Sequence, residues 1–103
     1  MTSTIRFFGN DGVIPDIMTR PYTRAEIEAM GLTDAELYIA RNEIVARTGY
    51  RFQYPGNLVF FQTYAPWYNP VNSSYNLQGV VADNAATIAE IERDRGSWYL
   101  DIK

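Results

Sequence analysis

The stretch Thr33-Asp34-Ala35-Glu36-Leu37-Tyr38-Ile39-Ala40-Arg41-Asn42-Glu43-Ile44-Val45-Ala46-Arg47-Thr48-Gly49 decides the fold of this chain. It opens on Thr33 with Glu36 three residues on, a reciprocal capping box, and it closes on Gly49, where a left-handed helix cap belongs. Between them Leu37, Ala40, Ile44 and Thr48 recur at helical spacing, with Tyr38 and Val45 widening the apolar stripe. The spacing predicts a helix over about Asp34 to Thr48. Glu43 and Arg47 lie four apart in the favourable order, worth roughly tenths of a kcal/mol if exposed.

Upstream, Thr23-Arg24-Ala25-Glu26 is a second capping box, and Gly31 stops its helix soon after Ile27 and Met30. Residues 1–15 read as a lead-in. In it Thr4-Ile5-Arg6-Phe7-Phe8 suits a short strand and Gly9-Asn10-Asp11-Gly12 is turn chemistry, while Pro15 and Pro21 keep the backbone extended beyond. Downstream, Tyr50, Phe52, Tyr54, Phe60, Phe61, Tyr64, Trp67 and Tyr68 crowd together. Pro55-Gly56 marks a turn, and Asn57 is expected to cap a short helix from Leu58 to Tyr64. Pro66 and Pro70 hold Trp67-Tyr68-Asn69 in a stiff, non-helical connection. Asn72-Ser73-Ser74 is loop composition and matches a glycosylation sequon of a kind that arises often by chance.

A last helix is expected over about Val80 to Asp94. Leu77, Val81, Asn84, Ile88 and Ile91 form its stripe, and Arg95-Gly96 ends it. In the tail, residues 95–103, Trp98, Leu100 and Ile102 alternate onto one face. That pattern predicts a strand pairing with Ile5 to Phe8, a two-stranded ribbon joining the termini. The expected architecture is a small, mainly α single domain of about four helices, with the helical body over 16–94 and the tail part of the same domain. Ile27, Leu37, Ile44, Phe52, Leu58, Phe61, Trp67, Val81, Ile88 and Ile91 are the expected core.

Composition narrows the chemistry. The chain has 103 residues, 12 acidic and 9 basic side chains, and neither histidine nor cysteine. There is thus no disulfide, thiol nucleophile or zinc-thiolate cluster, and the usual neutral-pH base and commonest metal ligand are missing. Lack of cysteine fits a reducing or an oxidising compartment equally. A formal charge of -3 offers no bulk attraction to nucleic acid or anionic lipid. No run approaches the roughly 18 apolar residues of a membrane span. The start, MTSTIRFF, lacks the basic-then-apolar pattern of a signal peptide. All the basic residues but Lys103 are arginine, which suits fixed, forked hydrogen bonds, although a GC-rich genome gives the same bias.

The densest polar constellation is Arg41-Asn42-Glu43 with Arg47. One reading is an anion or carboxylate site built from Arg41, Arg47 and Arg51. The other, favoured by the need of buried polar groups for partners, is an internal brace in which Arg41 and Asn42 bond neighbouring carbonyls and Glu43 pairs with Arg47. Trp67 and Tyr68 either stack on a ligand or close the end of a small core. Asn84 is expected as a satisfied core amide. Acid-base catalysis could only use carboxylates. Glu26 and Glu28 belong to an exposed helix, and Glu90, Glu92 and Asp94 to a solvated face, which leaves Glu43. No phosphate loop, nucleophile elbow or metal-ligand spacing occurs, so no cofactor or metal is expected.

Glu36-Leu37 followed by Ala40-Arg41-Asn42-Glu43-Ile44-Val45-Ala46-Arg47-Thr48-Gly49-Tyr50-Arg51-Phe52 resembles the signature helix of the YARHG domain, a bacterial module. Phe61 with Trp67-Tyr68-Asn69-Pro70 resembles its F…WY.P segment. Leu77, Asn84, Ile88 and Glu92 resemble its closing helix, and Arg20-Pro21-Tyr22-Thr23 through Leu32-Thr33 its lead into the signature. Val45 stands at the name-giving tyrosine and Thr48 at the histidine, while Ala46, Arg47 and Gly49 are kept. A role through that histidine is closed to this chain. This favours Arg41, Asn42, Glu43 and Arg47 as braces and Gly49 as the helix cap.

The resemblance implies a non-catalytic accessory or binding module of a bacterial cell envelope or extracellular protein. Its partner would be a protein or an envelope polymer, not nucleic acid, with monomer the expected state. The lack of an export signal leaves two alternatives, an excised domain or a cytoplasmic protein. Trp67, Tyr68, Tyr64, Arg47 and Arg51 are the expected ligand-binding residues. Two other readings stand beside this one: a small carboxylate-dependent hydrolase of envelope polymers with Glu43 as its acid, and a structural spacer or oligomerisation domain.

Overall fold

The computed structural model describes residues 6–101 except Phe8. In chain order it contains α1 (Arg24–Ala29), α2 (Asp34–Ala46), α3 (Pro55–Tyr64) and α4 (Val80–Arg95), then a 3-10 turn over Trp98–Asp101. This is the mainly helical four-helix domain that the sequence predicts. Both capping boxes form. Thr23 and Glu26, and then Thr33 and Glu36, each exchange side-chain and backbone hydrogen bonds, so the first free N–H groups of α1 and α2 are satisfied.

α2 ends at Ala46, two residues before the expected Thr48, and its last turn tightens as Thr48 N–H and Gly49 N–H donate to the carbonyls of Val45 and Ala46. Gly49 then takes φ +86. Its carbonyl accepts from the N–H groups of both Val71 and Asn72, and Tyr50 forms an isolated parallel bridge with Asn72. A Cβ on Gly49 would lie 3.0 Å from Asn72 Nδ2 and 3.2 Å from the Asn69 carbonyl oxygen. Gly49 is therefore required twice, by its backbone conformation and by the chain returning against it.

Three expectations need correction. α3 begins at Pro55, not Leu58, with Tyr54 as its N-cap, because a proline at the first helical position already carries the helical φ. Asn57 consequently lies inside the helix, and its Oδ1 accepts from the Tyr38 hydroxyl at 2.8 Å. The tail is not a strand over its described residues, and Ile102 of the expected strand lies outside them. Left-handed Gly96 closes α4 with its own N–H on Arg93 O and the Ser97 N–H on Glu92 O, a paired cap that turns the chain back over the helix. Trp98–Asp101 then coils as a 3-10 turn, which sets the Tyr99 ring 5.1 Å from that of Tyr38. The strand proposed for residues 4–8 lies mostly outside the described residues. Within it Arg6 bonds Glu36, and Phe7 packs edge-on to Phe60. The third correction concerns Glu92, placed on a solvated face with Glu90 and Asp94. Those two are exposed partners of Arg24, but Glu92 is 0% exposed, since it follows Ile91 and lies one turn beyond Ile88 on the buried stripe.

α2 packs against α4 and α3, and α1 against α4. Of the expected core, Ile27, Leu37, Ile44, Phe52, Phe61, Ile88 and Ile91 are buried, while Leu58, Trp67 and Val81 are partly buried. Val13, Ile14 and Ile17 of the N-terminal segment also belong to the core. Asn84 on α4 holds that segment in place: its Oδ1 accepts from Tyr22 N–H, and its Nδ2 donates to the carbonyls of Ile17 and Arg20, all at 2.8–2.9 Å.

Candidate functional site

The polar residues of α2 face three different parts of the molecule. Arg41 donates two hydrogen bonds to the buried Glu92 carboxylate on α4 and lies over the Tyr38 ring. Asn42 Nδ2 donates to the Tyr38 carbonyl one turn back. Glu43, 1% exposed, accepts from Arg47 Nε at 2.7 Å and from Val13 N–H at 3.2 Å. Arg47 also donates to the Asn10 carbonyl and stacks 4.0 Å over the Trp67 ring. Arg41 and Arg47 thus point to different neighbours and share no anion site. α2 ties together α4, the N-terminal turn and the Trp67 connection.

The Glu43 carboxyl borders a cavity of about 180 Å3 lined also by Asn10, Asp11, Asp16, Ile17 and Arg47. Burial pushes its pKa up, against the pull of Arg47 and the Val13 N–H, with the Asp11 charge adding to the rise. The Glu36 carboxyl shows the opposite balance. Its hydrogen bond from Arg6 outweighs burial and holds it down to about 2. Among the described residues no group of three acidic side chains is placed to hold a metal ion.

The expected binding residues divide. Trp67 is half-buried against Phe61, and its indole N–H donates to the Gly9 carbonyl at 2.9 Å. Tyr68 is half-buried too, with its hydroxyl donating to the Tyr50 carbonyl at 2.6 Å. Both polar handles are engaged inside the fold. Tyr64 and Arg51 are exposed; Tyr64 packs on Phe60 rather than on Trp67.

Sequence reasoning missed a second locale, where α2, α3 and the aromatic loops meet. Two adjacent wells share Tyr38, Tyr54 and Asn57. One, of about 240 Å3, is bounded by Arg41, Asn42, Tyr50, Phe52, Gln53 and Tyr75. The other, of about 220 Å3, is bounded by Ala35, Ile39, Phe60, Trp98 and Tyr99. Tyr54 is exposed between the two wells, Tyr75 is exposed beside the first and Trp98 beside the second, where Trp98 stacks on Tyr99 at 4.3 Å. The density of tyrosine between Tyr50 and Tyr68 hinted at such a surface. Tyr75 and Trp98 carry no signal of it, because they arrive from distant parts of the chain.

The fold and these sites define a small helical module held by a polar signature helix, with an aromatic cleft on one side. The family model for the YARHG domain matches residues 11–93, and the chain belongs to that family. The match starts five residues before the boundary expected at 16, so it takes in Val13 and Ile14 of the core. No curated protein and no solved structure gives a significant match.

Proposed function

We propose that this domain is a non-catalytic binding module of the cell envelope or of an extracellular protein, taking a peptide or an envelope polymer. One observation carries the reading: Arg41, Asn42, Glu43 and Arg47 bond within the fold, while the tyrosine-lined wells keep their aromatic rims and the Gln53 carboxamide open to solvent. The binding surface accordingly moves from Trp67 and Tyr68 to Tyr54, Tyr75 and Trp98. Titration of isotope-labelled protein with soluble peptidoglycan fragments and with peptides, followed by backbone amide shifts, tests it. Saturable shifts around the wells are expected; a spectrum unmoved by every ligand overturns the reading.

A second reading, hydrolysis with Glu43 as acid, is favoured by the cavity beside that raised-pKa carboxyl, with Asp11 and Asp16 on the same wall. It requires that Glu43→Gln abolish release of new reducing ends from a polysaccharide substrate. Equal release by the wild type and the variant removes it.

A further inference from the structure

The two wells beside Tyr54 share a wall but differ in chemistry. The first combines tyrosine rings with Asn42 and Gln53, and the charge of its one cation, Arg41, is balanced by Glu92. The second is walled by Ile39, Phe60, Trp98 and Tyr99 and has little polar lining beyond Asn57. Asn57 lies between them with its Oδ1 already accepting from Tyr38. Asn57 is 6% exposed and lines both wells; its carboxamide NH2 has no protein partner among the described residues, and none of their fully buried polar side-chain atoms is left unpaired, so that NH2 retains contact with solvent at the floor between the wells.

We infer that the paired wells bind an uncharged, extended peptide segment carrying proline, with its backbone lying across Tyr54 and a proline ring in the Ile39–Phe60–Trp98 well. This rests on the binding-module reading and names its ligand. Polyproline II backbone makes no internal hydrogen bonds, so it presents carbonyl acceptors to a donor such as the Asn57 NH2 while its rings lie against aromatic walls. The helix is already ordered before binding, which lowers the entropic cost of docking. A glycan fits the second well poorly, because its hydroxyls would be buried against Ile39 and Phe60 without partners. An acidic or basic segment finds no unpaired counter-charge in either well.

The test titrates the labelled full chain with a synthetic proline-rich peptide and, separately, with a chitin trisaccharide. With the peptide, saturable shifts are expected at Tyr54, Asn57 and Trp98. Tyr54→Ala and Trp98→Ala, which remove exposed rings, should each weaken binding roughly tenfold, with the rest of the spectrum retained. Asp83→Asn, at an exposed α4 residue that lines neither well, should leave the affinity unchanged. Shifts at the wells with the trisaccharide but not the peptide overturn the peptide inference and leave the binding module standing. Peptide shifts confined to another face overturn the site. If neither probe moves any resonance, both inferences fall.

Discussion

Gly12 lies directly on the carboxylate of Glu43: a Cβ at position 12 would sit 1.8 Å from Glu43 Oε1. The same oxygen accepts the N–H of Val13, and Gly12 has φ +69. The N-terminal turn can therefore close over the signature helix only if residue 12 has no side chain. The contact joins a residue that reads as turn chemistry to one that reads as the partner of Arg47 in an internal brace, and both are buried.

Gly12→Ala is expected to destabilise by about 2 kcal/mol or more, through a strained φ and a steric clash that displaces the Glu43 carboxylate from its hydrogen bonds to Val13 N–H and Arg47. Urea denaturation measures this. In a Glu43→Ala background the penalty should shrink, because the clash is gone and only the φ strain is left. Strict additivity of the two substitutions would show that the close contact does not govern stability.

Gly49→Val should also destabilise strongly, by roughly 2 kcal/mol or more, because a β-branched residue is disfavoured at φ +86 and would crowd Asn69 and Asn72. Thermal denaturation indistinguishable from wild type would show that the turn after α2 tolerates a side chain.

Arg41 is the ion-pair partner of Glu92, a fully buried carboxylate. Arg41→Met leaves that charge uncompensated and is expected to destabilise by about 3 kcal/mol or more, whereas Arg41→Met combined with Glu92→Leu should recover most of the loss. A double-mutant cycle on unfolding free energy checks the coupling. If Arg41→Met alone is neutral, Arg41 is not the brace between α2 and α4.

Glu43 and Glu36 predict opposite pH dependences. The folded pKa of Glu43 is raised above its unfolded value near 4.3. Its contribution is therefore full below that value and is lost as pH rises through the folded pKa. Glu36, held down to about 2, contributes above its unfolded value and loses that contribution as pH falls toward 2. Stability should peak at mildly acidic pH. Denaturation curves for Glu43→Gln should lack the decline on the neutral side, and those for Glu36→Gln should lose much of the acid-side slope, roughly 1–2 kcal/mol given the half-exposed Arg6. A wild-type curve that rises steadily toward neutrality would mean that Arg47 outweighs burial at Glu43.

The local signals were legible because they act over three or four residues. The capping boxes at Thr23 and Thr33, the positive φ of Gly49, the stop at Gly96 and the apolar stripes of α2 and α4 all appear as their spacing predicts, although α2 is capped at Arg47, two residues before Gly49. The brace formed by Glu43 and Arg47 was legible for the same reason. The tail misled because period-two alternation of Trp98, Leu100 and Ile102 suits a strand only where a ladder partner is at hand. The cap at Gly96 instead turns Tyr99 onto Tyr38. Asn57 misled because Pro55 had already begun the helix.

By itself the sequence determined a mainly helical YARHG domain, its four helices and most of its core, since helix propensity, capping and periodicity are properties of neighbouring residues. Only the tertiary structure decided that Glu36, Glu43 and Glu92 are buried, that Gly12 must be bare, and that Tyr54, Tyr75 and Trp98 share a cleft. A carboxylate reads as solvated until a distant arginine or backbone N–H accompanies it into the core. Here those partners are Arg6, Val13 and Arg41, each brought in from another segment of the chain.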